Sequence, residues 1–242
     1  MAQPTDIDWP REISVLRQLL PMATTVHVLT TDVLLRRFRQ VHKKPDGHQE
    51  AKVLAIKLIA EAMSALEDFG ALCRAVRLRG DGGLLWNYRK YGQGEISEVY
   101  KAIQEDGFGW NYLRLYAPAE YVNNPDADNP NLIMDLDLIV SSTAKWQQAS
   151  GMIDVYNRVK HGFTVLAAHP EEVDDEDTIV VLFKIRSDGQ PEYGRITKFG
   201  EWPEKAKMAV ETCADGWRRL AELVIYMHEH GDLAYPAPPP LS

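Results

Sequence analysis

The chain has 242 residues, of which 45% are hydrophobic and 26% are charged, as in an ordinary globular protein. Its formal net charge of −8 disfavours broad DNA binding, because a negatively charged surface repels the phosphate backbone. It contains no run of about 18 apolar residues, so we expect no membrane span. Its start shows no secretory leader, and we therefore predict a cytoplasmic protein.

The two cysteines, Cys73 and Cys213, each fall within an apolar pattern typical of a helix. We predict that both are core thiols, because a free cysteine behaves as a small buried hydrophobe. Such low cysteine use favours a reducing compartment. No cysteine and histidine spacing typical of a zinc site occurs, so we expect neither a metal nor a cofactor.

The first predicted helix spans residues 9–20 and ends because Pro21 breaks it. Thr24 or Thr25 is placed to cap the next helix, since their hydroxyls suit that position. This second helix is expected to continue to about the turn predicted at residues 45–47.

Three long helices are predicted over residues 48–79, 134–167 and 203–231, with a shorter one at about 94–104. Apolar residues recur in each long segment at three- and four-residue spacing, which gives one buried face. The first of these stripes comprises Val53, Ile56, Ile59, Ala60, Met63, Leu66, Gly70, Cys73 and Val76.

β-branched and apolar residues fill positions 178–186, a turn follows, and a returning strand is predicted over 193–199. The expected fold is therefore mainly α, a helical bundle of three long helices plus shorter ones. One β-hairpin, at about 178–199, is inserted before the last helix. We expect a single helical domain over residues 1–234 and a flexible proline-rich tail over 235–242.

Asn157, Lys160 and His161 form the strongest candidate site. On a helical wheel with Tyr156 at zero, Lys160 falls at about 40°, within the apolar sector. Asn157 and His161 fall at about 100° and about 140°, so they project into neighbouring space. An ammonium, an amide and an imidazole placed together suit anion binding or acid–base catalysis.

Such a site needs an acidic partner, and Glu67 on the first long helix is the candidate. With Leu66 at zero, Glu67 lies at about 100°, on the border of the apolar stripe, as Asn157 does on its own helix. We therefore hypothesise a contact of Glu67 with Lys160 or His161.

The run from Asn157 through Lys160 and His161 to Gly162, late in a long helix, resembles HEPN-like helical domains. That family includes metal-independent ribonucleases of defence and toxin systems. The resemblance implies RNA or nucleotide binding, with His161 matching the family's histidine and a site assembled across a dimer. The family's arginine has no counterpart at 154–156, which are Asp154, Val155 and Tyr156.

Two alternatives stay open. The pair of His161 and Gly162 suits a helix end as well as a site, since basic residues favour helix C-termini. The chain is then a non-catalytic interaction module, a homodimer joined through faces of its long helices. A basic run at Arg36, Arg37 and Arg39, interrupted by Phe38, could hold phosphates but is more typical of a solvated helix end.

Overall fold

A computed structural model describes residues 7–80, 82–92, 94–105, 132–147, 178–185, 187–196 and 198–229. The predicted mainly helical class is confirmed. In chain order the helices are α1 (Trp9–Val41), α2 (His48–Arg77), α3 (Leu84–Arg89), α4 (Glu95–Glu105), α5 (Leu132–Gln147) and α6 (Trp202–Glu229). Between α5 and α6 lie strands β1 (Ile179–Ile185) and β2 (Pro191–Ile196) and a 3-10 helix (Phe199–Glu201).

The two strands pair antiparallel, with Ile179 opposite Ile196 and Ile185 opposite Pro191. The returning strand begins earlier than residue 193, at Pro191, which occupies the first strand position where a missing N–H is tolerated. It also ends earlier than expected, because Phe199 belongs to the 3-10 helix.

The predicted break at Pro21 is wrong, because α1 continues through it as one helix of 33 residues. Pro21 is exposed, and so is Arg17, the residue whose carbonyl loses its helical hydrogen bond to position 21. Thr24 does not act as a cap; its hydroxyl donates to the Leu20 carbonyl at 2.9 Å, inside the helix. Both parts of the helix bury apolar side chains, Ile13 in unit one and Leu35 in unit two.

The chain forms two compact units. Unit one comprises Met1–Thr25, Leu66–Trp146 and Thr212–Ser242, and unit two comprises Val26–Ala65 and Gln147–Glu211. Helix α2 is buried around most of its circumference, as a helix that is apolar on most sides must be. The single domain expected over 1–234 stays a prediction, and the tail at 235–242 lies outside the described residues.

In unit one, α4 packs closely on α2. The Tyr100 hydroxyl donates to the Leu66 carbonyl at 2.7 Å, and Tyr100 itself is fully buried. The Gln104 amide donates to the Ala144 carbonyl at 3.2 Å, which ties α4 to α5. Both cysteines are buried in this unit as predicted, and burial raises the pKa of each thiol far above its ordinary value.

In unit two, α1 and α2 run antiparallel, since His27 pairs with Glu61 at 2.7 Å and Arg37 pairs with Glu50 at 2.6 Å. The predicted turn between them is present. Gly47 is required there, because a Cβ atom would lie 2.1 Å from the Val41 carbonyl oxygen.

Phe199 is fully buried in unit two. Its ring meets the ring of Phe38 edge-on at 6.5 Å, and the Lys52 ammonium lies 5.7 Å from its centre. The preceding residue, Lys198, adopts the left-handed conformation with φ 53°, which turns Phe199 inward. The 3-10 helix is therefore anchored by one aromatic side chain.

Candidate functional site

Of the predicted site, Asn157, Lys160 and His161 lie outside the described residues, as does the predicted helix beyond position 147. The pocket they would form stays a prediction. Glu67 lies on α2 and is half-buried, with its Oε1 atom 3.4 Å from the Tyr91 hydroxyl.

Arg74, two turns after Glu67, forms the centre of a polar cluster in unit one. Its guanidinium donates to the carbonyls of Asn87 and Lys90 at 3.0 and 3.3 Å, and pairs with Glu95 at 2.8 Å. These bonds fasten the ends of α3 and α4 to α2. Arg74 therefore has a structural role in unit one.

The basic run of α1 is partly neutralised in the structure. Arg37 pairs with Glu50, Arg39 pairs with Glu204 at 2.6 Å, and Phe38 is buried rather than presented to a ligand. Arg36 is exposed and forms no ion pair with the residues that the structure describes. The run is thus neither a fully open basic patch nor a simple solvated end.

A second surface, which sequence analysis missed, lies on α1 opposite its buried side. Val26, Leu29 and Val33 are 48%, 60% and 63% exposed. With the buried Leu35 at zero on a helical wheel, they fall between about 120° and about 180° away from it. The same helix therefore has one apolar face in the core and another in solvent.

Val53 on α2 extends this exposed face. Val33 precedes Arg37 by one turn of α1, and Val53 follows Glu50 by one turn of α2. Because these helices are antiparallel and Arg37 pairs with Glu50, both valines lie on the same side of the helix pair. We call the four residues Val26, Leu29, Val33 and Val53 the outer patch.

Val53 is a correction to the sequence analysis, which placed it in the buried stripe of the first long helix. It is 46% exposed, whereas Ile56, Ile59, Met63, Leu66, Cys73 and Val76 of that stripe are buried. The signal that could have revealed the outer patch is present in α1. Met22, Val26, Leu29 and Val33 recur at spacings of four, three and four, out of phase with the buried residues.

No helix in the described part of the chain is long and apolar enough to cross a membrane. Across the same ranges, no three acidic, histidine or cysteine side chains converge in a way that could hold a metal ion. Among the described residues, the candidates for a functional surface are the outer patch and the charged residues beside it, Arg36, Arg37 and Glu50.

A scan against family models finds no match, and no curated protein or solved structure is detectably similar to the chain. The resemblance to HEPN-like domains therefore stays a prediction. The functional assignment has to come from the chain's own side chains.

Proposed function

We propose that this protein is a non-catalytic interaction module that forms a homodimer through its outer patch. The observation that carries the proposal is the exposure of Val26, Leu29 and Val33 together on one face of α1. Single exposed apolar residues are common, but a contiguous apolar face marks an interaction surface.

The spacing of the patch favours a helix as its partner. Apolar residues that alternate at three and four positions form the seam along which two α-helices pack side by side. In α1 this spacing runs from Met22 to Val33. A second copy of α1 supplies the same seam, and a two-fold axis brings each patch onto itself.

One edge of the patch, at Arg37 and Glu50, is neutral, which suits a second copy of the chain. Arg37 and Glu50 neutralise each other at 2.6 Å, one turn from Val33 and Val53. Two chains of net charge −8 repel each other, so a self-association surface needs a neutral edge. An edge of one sign would instead indicate a partner of the opposite sign.

The test is the mass of the protein in solution, measured by light scattering or sedimentation over a range of concentrations. Leu29→Glu should shift the protein to monomer. Each copy loses the leucine side chain that the dimer would bury. The loss for the two copies is about 3 kcal/mol, which weakens dimerisation by at least about 100-fold.

Leu138→Glu on α5 is the matched control, because Leu138 is 68% exposed and does not belong to the outer patch. It should leave the mass unchanged. A wild-type protein that stays a folded monomer at every concentration would refute the proposal, as would equal effects of the two variants.

The alternative prediction, a ribonuclease, is tested by His161→Ala, which should change RNA cleavage and leave the molecular mass unchanged. If Asn157, Lys160 and His161 form an active pocket, His161→Ala abolishes RNA cleavage without changing the mass. For an interaction module, the wild-type protein cleaves no RNA and His161→Ala affects only stability or assembly. Measuring cleavage and mass on the same samples separates the two functions.

A further inference from the structure

A groove of about 410 Å³ lies between α1 and the start of α6 in unit two, beside the outer patch. Three of its side chains are cationic, and they come from two helices. The lining consists of Asp32, Leu35, Arg36, Arg39, Gln40 and Lys207. A groove of this size is in the range of small-molecule sites, roughly 300–1,000 Å³.

Two of the three cations are fixed in position by carboxylates. Arg39 donates through Nε and one terminal nitrogen to Glu204 Oε1, at 2.9 and 2.6 Å. Lys207 lies 2.7 Å from Asp32 Oδ1 and 3.4 Å from Glu211. Side chains held in this way lose little further freedom when an anion arrives.

Arg36 differs from the other two cations because it makes no ion pair with any described residue. Its guanidinium offers five donors in a planar fork that fits a phosphate. It lies on the same groove as Gln40, whose amide adds neutral donors and an acceptor. As far as the described residues are concerned, an anion entering the groove therefore displaces no carboxylate from this arginine.

Arg36 is the cation of the groove whose charge is not matched by a paired carboxylate among the described residues. Glu204 and Glu211 lie beside the lining and, together with Asp32, offset the charges of Arg39 and Lys207. The Lys207 hydrogen bond holds the pKa of Asp32 below its ordinary value. The attraction for an anion therefore comes from Arg36 and not from an excess of positive charge in the groove.

We infer that this groove binds a small molecule through a phosphate or diphosphate group, with Arg36 as the main contact. Arginine and lysine together suit a phosphate, because the one offers a two-pronged donor and the other a point charge. The groove also exceeds the volume of a single phosphate, which leaves space for an organic part. Arg36 and Gln40 lie about 20° around α1 from Leu29 and Val33, so the groove borders the outer patch, but phosphate binding and self-association are read by separate measurements.

The test is calorimetric titration of the full-length protein with inorganic pyrophosphate at low ionic strength. Arg36→Gln should weaken binding about tenfold, because it removes charge-assisted hydrogen bonds. Asp32→Asn should tighten binding several-fold, since it removes the carboxylate of the lining and leaves Lys207 with only the more distant Glu211 among the described residues. Weaker pyrophosphate binding by Arg36→Gln together with tighter binding by Asp32→Asn would show that the ligand binds in this groove.

Two variants in unit one control for net charge alone. Arg89→Gln and Glu98→Gln make the same charge changes at exposed residues that do not line the groove. Both should bind pyrophosphate as the wild type does, and thermal unfolding checks that all four variants fold. The site is overturned if the wild type does not bind pyrophosphate, or if each groove variant behaves like its control.

Discussion

Gly216 on α6 lies directly against the ring of Phe69 on α2. A Cβ atom at Gly216 would be 2.6 Å from Phe69 Cζ and 2.8 Å from Ile139 Cγ2. Phe69 is fully buried, so its ring has no free space to move into. The absence of a side chain at position 216 thus lets α6 approach α2 and α5 closely in unit one.

Gly216→Ala should therefore destabilise the protein, although alanine is the better helix former by about 1 kcal/mol. Overpacking a closed core costs about 1–3 kcal/mol, and we expect this cost to exceed the gain in helix propensity. Urea unfolding followed by circular dichroism measures the difference. Ser14→Ala, at an exposed helical site, is the control and should be neutral or slightly stabilising; a stabilised Gly216→Ala would contradict the close packing.

Lys198 is the one residue other than glycine with positive φ among the described residues, and it is exposed. Lys198→Gly should stabilise the protein by about 0.5–1 kcal/mol. The left-handed conformation costs a lysine about 1–2 kcal/mol, and the greater freedom of glycine in the unfolded chain returns part of that. Thermal unfolding reports the change.

Lys57→Gly tests the same substitution in the opposite setting, because Lys57 is exposed within α2. It should destabilise the protein by about 1 kcal/mol. If Lys198→Gly were equally destabilising, Lys198 would not be strained and the account of how the chain turns Phe199 inward would fail.

Glu12 on α1 accepts a hydrogen bond from the Leu85 amide at 2.8 Å, at the start of α3. Burial nevertheless raises the pKa of its carboxyl above the ordinary 4.5, outweighing the Leu85 and Leu84 amides. A raised folded pKa means that Glu12 favours folding most when it is protonated. That contribution is present below about pH 4.5 and is lost as the pH rises through the folded pKa.

Glu12→Gln keeps an oxygen for the Leu85 amide but cannot ionise. The variant should therefore gain stability relative to the wild type as the pH rises from about 4 to about 7. Urea midpoints of both proteins at these two pH values give the result. A difference that does not change with pH would show that the ionised carboxylate is as well solvated in the folded protein as in the unfolded chain.

The long helices were predictable because their patterns are local. The expected helices over 48–79 and 203–231 correspond to α2 and α6, which end within two residues of those limits. Helix α3 was missed for the opposite reason. It has only six residues, too few to show a period, and the Glu12 carboxylate that holds its start is 73 positions away.

Pro21 and Val53 show what local rules leave out. A proline removes one helical hydrogen bond, and in α1 the parts of the helix before and after it are each anchored by buried side chains that the local pattern does not reveal. Val53 fits the periodic stripe of α2, but its exposure depends on where α1 lies, which no local pattern contains. The outer patch was missed because an apolar residue at helical spacing is normally assigned to the core.

The position of the thiols has a practical consequence. The chain has two cysteines, and both are buried in unit one. A thiol reagent added to the native protein therefore modifies it only when unit one opens, whatever unit two is doing at the time. No cysteine has to be introduced or removed. In the wild-type chain, the rate of thiol modification therefore reports how often unit one opens.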